Sequence, residues 1–176
     1  MDGNPGATRA VHNFDEDLAF SEQASCEPFW DAIYRKAFPD LLSHMLCSGK
    51  SKAQELGIDR LILLSNGLTL KVEEKKRRKA YPDIAFEHTA NDRTKAPGWI
   101  EKDLAINYLA YAFLPIKTAY LFDWQMLKRA WREFGAVWKR DYPEIIAQNP
   151  NYKTISVAVP ISTVQSAVRN ARIIKI

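Results

Sequence analysis

An α/β (α+β) chain with one mixed central β-sheet flanked by helices is the expectation from the sequence, and three features carry it. Apolar residues recur at three- and four-residue steps over 29–45 and again over 124–138, the spacing of a helix face. Residues 58–76 instead show a branched apolar run, a turn signal and then a period of two, the pattern of paired strands. The two kinds of segment follow one another as helix, three strands, helix, strand, helix, strand, helix, with no internal repeat and no low-complexity stretch.

Residues 1–24 read as a flexible leader, because Gly3, Pro5 and Gly6 break regular structure before the acidic knot Asp15, Glu16, Asp17. Residues 25–176 are then expected to form a single domain. From Pro28 to about Leu46 the spacing of Phe29, Ile33, Ala37, Leu41, Leu42 and Met45 predicts helix, split in two by Pro39, which cannot donate a mid-helix hydrogen bond. Residues 49–57 connect, with a helical turn around 53–56. Ile58–Leu64 is the first visible strand, Ser65-Asn66-Gly67 the turn, Leu68–Lys76 the second strand and Asp83–Glu87 a short third. Trp99–Phe113 is expected as helix, with Leu104, Tyr108, Leu109 and Ala112 on one face. Ile116–Phe122 is a strand, and Asp123 is the N-cap of a long helix whose stripe Trp124, Leu127, Trp131, Phe134, Trp138 reads as core rather than as a base-stacking surface. Residues 143–152 are expected as loop, Lys153–Val159 as strand and 161–171 as a final helix opened by Pro160.

The chain has 176 residues, 47% of them hydrophobic and 26% charged, which is the balance of a globular protein. No apolar run approaches the roughly 18 residues of a membrane span, and no secretory signal pattern opens the chain. Two cysteines, Cys26 and Cys47, make no disulfide framework, and the scattered His12, His44 and His88 make no zinc motif. A reduced, cytoplasmic setting is the default expectation. No Gly-rich phosphate loop is present, so a nucleotide cofactor is not expected. The net charge is +4, and its distribution says more than its sum. Lys71, Lys75, Lys76, Arg77, Arg78 and Lys79 crowd one segment, and Lys128, Arg129, Arg132, Lys139 and Arg140 another. Either cluster is a solvated face or a phosphate-binding surface.

The informative segment is the hairpin. Asp59 opens one strand, and the partner strand leaves its apolar part as Glu73-Glu74-Lys75-Lys76. A hairpin brings its open ends together, with strands about 4.8 Å apart, so two carboxylates there can share a hard divalent cation. Two registers compete. A two-residue Asn-Gly turn sets Asp59 opposite Glu74 and makes Glu74-x-Lys76 the chemical pair. A three-residue Ser-Asn-Gly turn with a Gly bulge sets Asp59 opposite Glu73 and makes it Glu73-x-Lys75. The second is favoured. Paired carboxylates with a lysine suit phosphodiester hydrolysis, in which the cation polarises the phosphate and the lysine orients water or offsets phosphoryl charge.

This hairpin resembles the PD-(D/E)xK nuclease superfamily, with the restriction-endonuclease-like fold, and Asn66–Arg77 is similar to the corresponding hairpin of archaeal Holliday-junction resolvases. The resemblance implies Asp59 and Glu73 as ligands of Mg²⁺ or Mn²⁺, Lys75 as the catalytic lysine, and DNA as substrate, cut to a 5′-phosphate and a 3′-hydroxyl. Some branches add an acidic residue from the preceding helix, for which Glu55 is the nearest candidate. Lys76, Arg77, Arg78 and Lys79 would grip the phosphate backbone, and a homodimer is the simple route to cutting both strands. Such a chain fits a phage or mobile-element gene product. Two departures from the pattern stand out. Ile58 replaces the proline before the aspartate. The family core places the aspartate on its second strand and Glu-x-Lys on its third, one later than the strands visible here, so either a strand is hidden in 48–57 or the core is trimmed. Asp83 and Glu87, on the strand after Pro82, are candidates to approach the same site. The alternative is a nuclease-fold protein without catalysis that binds DNA or a host protein.

Overall fold

The computed structural model describes residues 27–47, 53, 56–169 and 171–176. The leader 1–24, Cys26 and Glu55 lie outside the described residues. The fold is mixed α+β, with three helices and two sheets among the described residues, rather than one sheet. The elements are α1 (Glu27–Ala37), β1 (Leu41–Leu46), β2 (Arg60–Leu64), β3 (Thr69–Arg77), β4 (Asp83–Asn91), β5 (Ala96–Pro97), β6 (Tyr108–Phe113), β7 (Thr118–Asp123), α2 (Trp124–Asp141), β8 (Glu144–Gln148), β9 (Lys153–Pro160), α3 (Ile161–Ala167) and β10 (Arg172–Lys175). They divide into two compact units, and each is built from separated stretches of chain.

One unit takes 27–81, 103–127 and 168–176 among its described residues. Its sheet has the order β1-β2-β3-β6-β7-β10. Only β3 and β6 run parallel; every other neighbouring pair is antiparallel. Helix α1 lies on one face, where Trp30, Ile33, Tyr34, Ala37 and Phe38 pack on Ile62, Leu70, Val72, Ala110, Ala112, Leu121 and Ile174. Ala110 and Ala112 of β6 are the small residues of this cluster, beside the larger rings of Trp30, Tyr34 and Phe38. The β2–β3 turn is the three-residue one: Leu64 O receives Gly67 N, Leu64 N donates to Leu68 O, and Gly67 sits at φ +83°. The register follows, with Arg60 opposite Val72 and Leu63 opposite Thr69.

The other unit takes 82–102 and 128–167 among its described residues. Its sheet has the order β5-β4-β9-β8. The later part of the α2 stripe is core here, as expected: Trp131 and Trp138 are buried and pack on Phe86 at centroid separations of 5.6 and 5.5 Å. Trp99 joins them at 5.5 Å from Phe86. Asp123 caps α2 through Oδ1, which accepts Met126 N at 3.0 Å.

Four expectations are corrected. Residues 41–46 are a strand, not a second helix. Phe38-Pro39-Asp40 ends α1, Leu41 N bonds Phe38 O, and pairing with β2 overrides a spacing that fits either state. The stretch Trp99–Phe113 holds turns and β6, not a helix. Its apolar run Tyr-Leu-Ala-Tyr-Ala-Phe is that of a central strand covered on both faces, for which helical spacing is a coincidence. Residues 144–148 form β8, hairpinned to β9, within a stretch expected as loop. The final helix stops at Ala167, and the chain returns as β10 on the edge of the six-stranded sheet.

Candidate functional site

Asp59 stands immediately before β2, and its amide donates to Val72 O at 2.9 Å, so the hairpin pairing extends through it. Its Oδ2 accepts the Glu74 amide at 2.7 Å. Strand periodicity then separates the two glutamates. Glu73 and Lys75 project from the face away from α1, and Lys75 Nζ lies 2.5 Å from Glu73 Oε1. Glu73 is buried, while Lys75 is half-exposed. The loop before Asp59 closes over Glu73: a Cβ on Gly57, which sits at φ +75°, would lie 3.0 Å from Glu73 Oε2 and under 3.0 Å from Leu104. Only glycine fits that approach. Ala53 is helical and its carbonyl receives Leu56 and Ile58 amides, so the expected turn ends there in a left-handed Gly57.

Glu74 faces α1 instead. It accepts Tyr34 Oη at 2.9 Å and Arg60 Nε at 2.5 Å on the same oxygen. Arg60 is fully buried and forks onto Glu27, with Nη1 to Oε2 at 3.0 Å and Nη2 to Oε1 at 2.8 Å. Arg60 Nη1 also donates to His44 Nδ1 at 2.9 Å. An arginine has no acceptor, so His44 Nδ1 accepts and its Nε2–H donates to Asp31 Oδ1 at 3.0 Å. Burial pushes the Glu74 carboxyl up, against the pull of Arg60 and Tyr34. Burial also works against the Arg60 charge, and the bonds to Glu27 and Glu74 outweigh it. The same fork holds the Glu27 carboxyl below its ordinary range.

Register decides between the two candidate pairs: Arg60 pairs with Val72, which sets Asp59 opposite Glu73, while Glu74 and Lys76 share the α1 face, where the Lys76 charge helps to lower the Glu27 carboxyl. Among the basic residues, Lys76 and Arg77 are half-exposed, Arg77 lies over the Tyr81 ring at 4.8 Å, and Arg78 and Lys79 are exposed. Of the second basic cluster, Lys128 Nζ caps the Ile100 and Lys102 carbonyls at 2.8 and 2.9 Å, Lys139 lies over Trp131, and Arg140 pairs with Asp141. Asp83 and Glu87 sit on β4 in the four-stranded sheet; the strand beside β3 is β6. β4 is therefore not the neighbouring strand of the hairpin.

Arg60, Tyr34, Glu27 and His44 went unnoticed in the sequence. An arginine inside an apolar strand, Arg60-Leu-Ile-Leu-Leu, was the available signal, because a charge at a core position demands partners. The two carboxylates are a donor set that fits Mg²⁺, which takes one or two protein carboxylates and fills the rest with water and phosphate oxygens; the Lys75 ammonium stands beside them and is no ligand. No group of three or more His, Cys, Asp or Glu side chains placed to hold a metal occurs among the described residues. No helix among them is long and apolar enough to cross a membrane. Compared with family models, curated proteins and solved structures, the chain has no match.

Proposed function

We propose that the chain is a metal-dependent nuclease of the PD-(D/E)xK type, hydrolysing phosphodiester bonds in DNA, with its six-stranded unit as a restriction-endonuclease-like core. One observation carries the reading. With β1 in place, Asp59 heads the second strand, and Glu73-x-Lys75 lies on one face of the third, in the register that sets Asp59 across from Glu73. That is the strand order which the family resemblance implies, supplied by β1 at 41–46 rather than by a strand within 48–57.

Asp59 and Glu73 would hold Mg²⁺ or Mn²⁺, which when bound polarises the scissile phosphate and acidifies a water. Asp59 has one oxygen fixed by the Glu74 amide, which turns its carboxylate in a set direction. Glu73 holds Lys75 Nζ by an ion pair, so the ammonium is positioned before substrate arrives. From there it orients the attacking water and offsets charge on the phosphoryl oxygens. Lys76, Arg77, Arg78 and Lys79 continue the strand as a cationic grip on the backbone.

A second reading is a catalytically silent nuclease-fold protein that binds DNA or a host protein; the Glu73–Lys75 ion pair favours it, because a neutralised carboxylate is a weaker cation ligand. Labelled single strands, duplexes, flaps and four-way junctions, each with Mg²⁺, Mn²⁺ or EDTA, separate the two. Cutting is expected with metal only, lost in Glu73→Gln while gel shifts persist. Shifts without cutting by the native chain favour the silent binder, and neither shift nor cutting overturns both readings.

A further inference from the structure

Arg60 is next to Asp59 in the chain, and Glu74 is next to Glu73. Neighbours on a strand project to opposite faces, so each proposed metal-binding carboxylate has a buried, charged residue behind it. The two buried residues are bonded to each other at 2.5 Å. We propose that the Arg60–Glu74 pair, held in turn by Tyr34, Glu27 and His44, is a positioning device that sets Asp59 and Glu73 at the separation and height a shared divalent cation requires. The inference rests on the nuclease reading for its purpose and on the network for its geometry.

Physical cost argues that the network is more than a fastening. Burying an arginine and a glutamate in a helix–sheet interface carries a desolvation penalty that apolar residues of the same size avoid, often with no loss of stability. What an apolar pair lacks is direction. The Arg60 guanidinium is a rigid planar fork that uses Nε on Glu74 and both terminal nitrogens on Glu27, so the start of β2 is tied at once to β3 and to the first residue of α1. Tyr34, fully buried on the same face of α1 two turns after Glu27, donates to the same Glu74 oxygen. The Glu74 backbone closes the link, because its amide is the group that holds Asp59 Oδ2. A shift of Glu74 therefore moves the proposed ligand Asp59 through one hydrogen bond and Glu73 through one peptide unit. Outer partners of this kind, which orient a ligand without touching the cation, are expected to change metal affinity by about 10- to 100-fold.

The test uses the full chain with Arg60→Met and Glu74→Met combined, an exchange that keeps volume and removes both charges together. Three quantities are read: the thermal midpoint, hydrogen exchange of the residue-74 amide by NMR, and Mn²⁺ affinity by the spin-resonance signal of free Mn²⁺. The expected result is a folded protein whose residue-74 amide exchanges about tenfold faster or more, the equivalent of one charged hydrogen bond, while the Ala110 and Ala119 amides of the same sheet do not change. Mn²⁺ binding should weaken by about 10- to 100-fold. An unchanged residue-74 amide, or unchanged Mn²⁺ affinity beside a loosened amide, overturns the positioning role. Arg60→Lys, which keeps charge but loses the fork, should fall between the native chain and the double variant in both readouts; a native-like Arg60→Lys overturns the directional argument. If the native chain binds no Mn²⁺ that Glu73→Gln removes, the nuclease reading fails, and the amide result alone then decides whether the pair aligns the two carboxylates.

Discussion

Tyr34 carries a hydroxyl into the core and finds Glu74 there. Burial first, and the Glu74 charge second, hold its phenol well above the ordinary value. A folded value above the unfolded one means that the folded chain keeps a proton the unfolded chain would release. The resulting stabilisation is complete below the unfolded value, about pH 10, and is lost as pH rises through the folded value. Tyr34→Phe should therefore flatten the alkaline limb of stability against pH, measured as the urea midpoint from pH 9 upward; a limb of unchanged slope would refute the assignment. Glu27 works in the opposite sense, since Arg60 depresses its carboxyl and its contribution fades as pH falls. The same residues show what a sequence conceals. Asp59, Glu73 and Lys75 stood out because spacing on a hairpin can be counted. Their supports did not, because Tyr34 and Arg60 lie 26 residues apart and meet only when α1 crosses the sheet.

At the level of elements, the legible ones were those whose own residues decide them. The β2–β3 hairpin follows from Ser65-Asn66-Gly67, and α2 from its cap Asp123 and its aromatic stripe. β1 and β6 were misread because both are short apolar segments, for which helix and strand spacing agree by chance and the neighbouring strand decides. β10 offered too few residues to show a period. Gly98 marks an element boundary of a different kind. It passes so close to β4 that a Cβ would lie 2.1 Å from the Glu87 carbonyl oxygen, while its amide donates to His88 O at 3.1 Å. Backbone cannot yield as a side-chain tip does. Gly98→Ala is thus expected to destabilise the β5–β4 crossing by about 3 kcal/mol, the upper end for over-packing, seen as a lower denaturant midpoint at unchanged slope. A variant of native stability would mean that the crossing relaxes freely.

For the molecule as a whole, charge is the property most readily read in advance. Lys76, Arg77, Arg78 and Lys79 continue one strand end, and if all four contact phosphates the logarithm of DNA affinity should fall with the logarithm of salt at a slope of about −4. Replacing the exposed Arg78 and Lys79 by alanine should reduce that slope by about two and weaken binding to all sequences alike; a slope that does not change would place the DNA elsewhere. Connectivity was the least legible property. The order of elements suggests a single sheet, whereas the chain alternates between two units, returning to the unit of the six-stranded sheet at 103 and again at 168. Long-range strand pairing leaves no local mark in a sequence, because its reward is collected far from the residues that form it. β10 shows the consequence in time. It pairs with Thr118–Leu121, about 50 residues earlier. At ribosomal speeds of roughly 5–20 residues per second, β7 must wait roughly 3–10 s for that partner. For that interval the nascent polypeptide presents an open, apolar strand edge to its surroundings, and the moment at which that edge is covered is set by translation rather than by the strength of any contact within the sheet.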